Sequence, residues 1–112
     1  MIEKLILDHL RGEGIAEYTE LPKGGGTPPF VIVEKTGGGE EDHIRRAVVA
    51  IRSYGDSLYR AAELNERVIG AMAAILVLPE ISACRLNSDY NFTDTTKKQY
   101  RYQAVFDLVY YA

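Results

Sequence analysis

The order of apolar and polar positions divides the chain into two helical stretches and several extended ones. Ile2, Leu5, Ile6 and Leu10 recur at helical spacing, and Gly12 and Gly14 follow where a left-handed C-cap belongs. Residues 2–11 are therefore predicted as a short amphipathic helix. A short strand is expected over residues 16–21. Pro22, Gly24, Gly25, Gly26, Pro28 and Pro29 then rule out regular structure and mark a loop. Residues 30–35 are β-rich and are expected to end at Gly37, Gly38 and Gly39, ahead of the acids Glu40, Glu41 and Asp42. That Gly37–Asp42 stretch reads as a mobile loop. Beyond it, residues 44–54 alternate, with Ala47, Val49 and Ile51 on one side and Arg46 and Arg52 on the other, the pattern of a half-buried strand.

Gly55 is expected to break that strand, and Asp56 or Ser57 can cap a helix reaching to about residue 76. Leu58, Ala61, Leu64, Val68, Met72 and Ile75 fall three or four apart, giving one apolar stripe along about 30 Å of helix. This helix is the expected main lid on the sheet. Pro79 stops it, residues 81–93 read as a strand, residues 94–98 as a polar turn, and residues 99–111 as a last strand. There Tyr100, Tyr102, Ala104, Phe106, Leu108 and Tyr110 share one face, opposite Arg101, Gln103 and Asp107. Val105 and Val109 make the second face partly apolar too, so a neighbouring subunit is its expected cover, and Val105, Val109 and Tyr111 are candidate interface residues. The expected fold is α+β: a single domain over residues 1–112 with a mostly antiparallel sheet, two helices packed on one face and a long C-terminal β-hairpin.

A length of 112 residues suits one core. The formal charge of −3 provides no broad basic field, which argues against specific nucleic-acid binding. Cys84 is the one cysteine, so no intrachain disulfide can form. Glu3, Lys4 and Asp8 interrupt the apolar N-terminal residues, unlike the core of a signal peptide. The most apolar later stretch, residues 68–78, has about half the length needed to span a bilayer. A soluble protein of the cytoplasm, without a membrane partner, is expected.

Chemistry-bearing constellations are weak. Neither the glycine run at residues 24–26 nor that at 37–39 leads into a helix with a following Lys-Ser/Thr, so neither resembles a phosphate loop. Glu40, Glu41, Asp42 and His43 are consecutive, a poor arrangement for converging on one ion. His9 and His43 lack zinc-ligand spacing, and no nucleophile-elbow motif occurs. Cys84 is expected to be a buried, inert thiol. The C-terminal tyrosines could stack single-stranded bases, but core packing and subunit contact suit them better without a basic cluster. The reading is non-enzymatic, with no catalytic residue, cofactor or metal.

The stretches Leu86-Asn87-Ser88-Asp89-Tyr90-Asn91-Phe92-Thr93-Asp94 and Tyr100-Arg101-Tyr102-Gln103-Ala104 resemble those of small tail-completion proteins of siphophages and related prophages. The segments Pro28-Pro29-Phe30-Val31-Ile32-Val33-Glu34-Lys35-Thr36-Gly37-Gly38 and Ser53-Tyr54-Gly55-Asp56-Ser57-Leu58-Tyr59-Arg60-Ala61-Ala62 extend the likeness over nearly the whole chain. The resemblance implies a tail terminator: a homo-oligomeric ring, usually a hexamer, that caps the head-proximal end of the tail tube, ends its polymerisation and presents a docking surface for the head. Its implied partners are further copies of itself, the tail tube protein and the head-tail connector protein. Its implied place is the virion tail, after assembly in the bacterial host cytoplasm. A cyclic ring needs two different contact surfaces per subunit. The Gly37–Asp42 stretch is expected to project from that ring and to order on meeting tube or connector. The alternatives are another head-tail connector protein, a stopper or adaptor, and more remotely a small enzyme or ligand-binding domain whose site forms from residues distant in sequence.

Overall fold

Helix α1 (Ile2–Gly12) turns Ile2, Ile6 and Leu10 inward, all three buried, and keeps a Lys4–Asp8 ion pair of 2.8 Å on its solvent side. It ends in a Schellman arrangement. The Gly14 N–H donates to the Arg11 carbonyl and the Ile15 N–H to the Leu10 carbonyl, each at 3.0 Å, with Gly14 at φ 78°. Ile15 and Leu10 are both buried in the main core, which fixes where the chain leaves the helix. The structure, a computed structural model, describes residues 1–18 and 26–111. A two-residue strand β1 (Glu17–Tyr18) follows α1. The remainder of the strand predicted over residues 16–21, and most of the loop after it, lie outside the described residues.

Strands β2 (Phe30–Glu41) and β3 (Ile44–Gly55) form a long antiparallel hairpin. Here the sequence expectation is corrected. β2 does not stop before the glycine run: Gly37, Gly38, Gly39, Glu40 and Glu41 pair in turn with Val48, Ala47, Arg46, Arg45 and Ile44. The expected mobile loop is a two-residue turn at Asp42 and His43, with φ 53° and 68°. Positive φ at both central positions gives the turn the twist that matches the flanking strands. The ladder runs through the three glycines because each is paired in register with a residue of β3, and Arg45 Nε reaches Glu40 Oε1 at 2.8 Å. A bulge between Lys35 and Gly37 absorbs one residue.

Helix α2 (Leu58–Ala73) starts at Ser57, whose hydroxyl accepts the Arg60 N–H at 3.1 Å. Ala61, Leu64, Val68 and Met72 are buried, as the apolar stripe predicts. Leu58 is exposed instead. The helix meets the sheet only one turn later, where a Cβ on Gly55 would stand 2.3 Å from the Ala61 nitrogen. Gly55 does not break the strand as expected: it stays within β3, paired with Tyr100 of the last strand. Asn65, polar and unforeseen, is buried on the stripe, and its amide donates to Asp89 Oδ1 at 2.6 Å. The α-helix stops at Ala73, short of residue 76, and tightens into a 3₁₀ turn (Ile75–Val77) ahead of Pro79.

Strands β4 (Ile81–Asn91) and β5 (Tyr100–Tyr111) make the expected C-terminal hairpin. β5 pairs along its full length with β3, so the sheet order is β1-β2-β3-β5-β4, with only β1 parallel to its neighbour. Both helices pack on one face, over Val31, Val33, Ala47, Val49, Ile51, Ala104, Phe106 and Leu108. The fold is α+β, as expected. No described helix is long and apolar enough to cross a membrane.

Candidate functional site

With both helices on one side, the other face of the sheet is left without a helical cover, and the register shows what it displays. Three cross-strand rows run over its lower end: Gly37–Val48–Asp107–Arg85, Gly39–Arg46–Val109–Ala83, and Glu41–Ile44–Tyr111. Val105 opposes Ala50 on the same face. The predicted interface residues and the predicted contact stretch, far apart in sequence, thus belong to one surface with β3 between them. Val105 and Val109 are half-buried, and Tyr111 is 56 % exposed. Gly38 and Glu40 point to the helix side, so only Gly37, Gly39 and Glu41 of that stretch contribute to the open face.

A shallow concavity of about 470 Å³ occupies this lower end, with Gly39, Arg46, Val48, Arg85, Asp107 and Val109 among its walls. Its floor is low because a Cβ on Gly39 would meet nothing within 4 Å, and one on Gly37 only the Val48 side chain at 3.8 Å. Neither glycine is required there by crowding inside the subunit. Arg85 donates to Asp107 Oδ2 at 2.9 Å and Asn87 donates to the same oxygen at 3.1 Å. The Asn87 hydrogen bond first, and then that from Arg85, hold the Asp107 carboxyl below its ordinary range. Arg46 forms no ion pair among the described residues.

The upper end of the same face is filled in by packing and hydrogen bonds, with Tyr90 and Phe92 still exposed. Phe30 and Tyr54 stack with ring centroids 4.6 Å apart, and with Ile32 they form a second, smaller buried cluster. Arg101 lies over the Phe92 ring at 4.5 Å while its Nε donates to the Phe92 carbonyl at 2.6 Å. Its other arm donates to the Tyr54 hydroxyl at 3.3 Å. Gln103 is buried and donates its amide N–H to the Tyr90 hydroxyl, while its amide oxygen accepts from Arg52 at 3.3 Å. Arg52 in turn meets Glu34 at 3.5 Å. The polar groups here are satisfied by one another. The network uses Tyr54 and Tyr90, not the tyrosines of the last strand that the sequence singles out, and it depends on register between four strands.

No protein-family model matches this chain, and none of the curated proteins is similar enough to count as a relative. Among the described residues no group of three or more His, Cys, Asp or Glu side chains could hold a metal ion. Cys84 faces the helix side, and burial, with a smaller contribution from the Asp107 charge, pushes its thiol up to about 11. It is protonated and weakly nucleophilic at neutral pH. His9 is tied to α2, its Nε2 lying 2.7 Å from the Ala71 carbonyl. The remaining concavities are small or open. The one beside α2, lined by Asp56, Arg60, Glu63 and Arg67, measures about 250 Å³ and mixes both charge signs without a convergent polar set. The open lower end of the sheet is the candidate functional surface, and what it offers chemically is contact, through valines, bare backbone and Arg46.

Proposed function

We propose that this chain is a structural subunit of a phage tail, a terminator that assembles into a ring on the head-proximal end of the tail tube. The observation that supports it most is the lower end of the open sheet face. Half-buried valines stand beside two glycines that no internal contact requires, on a face that neither helix covers. A surface of that composition lowers its free energy by being covered, at about 25 cal/mol per Å² of apolar area. The sequence resemblance to tail-completion proteins supports reading the assembly as a tail ring. The ring, with six copies as the expected number, ends tube growth and offers its far side to the head-tail connector.

The test is the solution mass of the purified protein by light scattering over a concentration series, with electron microscopy of large species and of tube ends after mixing. A closed ring that decorates one tube end and halts elongation is the expected result. Protein that neither assembles nor binds tube ends would overturn the proposal. Binding to portal in preference to tube ends would transfer the chain to the connector, as a stopper or adaptor using the same open face.

A further inference from the structure

Two features on opposite sides of the sheet complement one another. On the helix side, the 3₁₀ turn after α2 directs Leu76 and Val77 outward, 50 % and 77 % exposed. The turn is firmly seated, because Ile75 within it is fully buried and Leu78 packs against the main core. Glu80 follows on the same protrusion, its backbone carbonyl accepting from the Tyr111 N–H at 3.0 Å and its carboxylate in no ion pair among the described residues. On the open side lies the concavity floored by Gly39, Val48 and Val109, with Arg46 in no ion pair among the described residues.

We propose that the Leu76–Val77 knob of one copy seats in the Gly39–Val48–Val109 concavity of the next, with Glu80 meeting Arg46. The inference rests on the ring reading above and specifies the contact such a ring needs. The occupant is a second copy of this chain because both halves of the complementarity, apolar knob with acid and apolar socket with base, are present on it. The knob's two aliphatic side chains are exposed where a hydrophobic cover would stabilise them. Knob and socket lie on opposite faces of one sheet, so the contact is heterologous. Every dimer keeps one free knob and one free socket, and growth continues until rotation closes it.

Glu80→Arg and Arg46→Glu, each alone, should raise the dissociation constant of the assembly about tenfold or more, and together in one chain should restore it. A sharper readout comes from mixing Val77→Glu protein, whose knob is spoiled, with Gly39→Glu protein, whose socket is filled. Both substitutions fall at exposed positions, and circular dichroism checks that each variant is folded. The equimolar mixture should give a heterodimer and nothing larger, while each variant alone stays monomeric. Wild-type mass in every variant would overturn this contact and leave the capping role standing. A wild-type protein that remains monomeric throughout the series would also overturn it, whatever it does at a tube end.

Discussion

The two ends of the open sheet face are built from the same strands, yet one is largely packed on itself and the other is not. At the upper end Phe30, Tyr54, Arg101 and Gln103 use up one another's surfaces and hydrogen bonds. At the lower end glycine stands where a side chain would have room, valines are half covered, and Arg46 has no ion-pair partner among the described residues. On the proposed contact, the difference separates stability from association: substitutions above should cost folding free energy, whereas substitutions below should cost contacts between molecules.

Gly55→Ala should break the comparison most severely. It lies beside the packed end, and its Cβ would meet backbone atoms of Arg60 and Ala61 at 2.7 and 2.3 Å, which cannot yield as a flexible side chain would. Thermal and denaturant unfolding should show a loss of about 3 kcal/mol or more. An unfolding midpoint near that of the wild type would show that helix and sheet can part there at little cost. Arg101→Ala removes the ring contact with Phe92 and two hydrogen bonds, and about 1–2 kcal/mol of destabilisation is expected in urea melts, with the oligomeric mass of the folded protein unchanged.

Gly39→Thr reverses the pattern. The position is extended and open, so a β-branched residue should leave stability unchanged or raise it by up to about 1 kcal/mol, while assembly by light scattering is lost. Loss of folding at this site would erase the proposed division between the two ends. The smallest effect concerns Asp107. Its folded pKa is depressed, so its contribution to stability is present at neutral pH and is lost as pH falls through the folded value, below the ordinary 3.8. Carboxyl-carbon NMR should place its midpoint below 3.8, and Asn87→Ala should move that midpoint upward. A midpoint indifferent to Asn87 would show that the hydrogen bond does not hold the charge.

Much of this architecture is legible in residue spacing. Ile2, Ile6 and Leu10, and Ala61, Leu64, Val68 and Met72, announce their helices because burial on one face imposes a 3.6-residue period. The alternation in β3 and β5, with a polar turn before β5, likewise forecasts the sheet and the C-terminal hairpin. What misleads is local composition overridden by a partner strand. Three glycines and two acids look like a loop, but pairing with residues 44–48 and the Glu40–Arg45 contact extend them. Asp42-His43 lacks the Asn-Gly signature of the turn it forms. The burial of Asn65 is invisible without Asp89, twenty-four residues away. The candidate surface itself was half legible. Val105, Val109 and Tyr111 stood out by their face of β5, whereas the alignment of Gly39, Arg46 and Val109 in one row exists only once register is known.

The tight turn at Asp42 and His43 bears on how any partner would be met. Since residues 37–41 are already hydrogen-bonded to β3, contact at this surface involves no folding step, unlike the disorder-to-order transition that a glycine-rich loop would bring. The heat-capacity change of association should then scale with the area covered alone. The rate of encounter should be set by orientation and charge, falling with salt and indifferent to agents that stabilise nascent secondary structure.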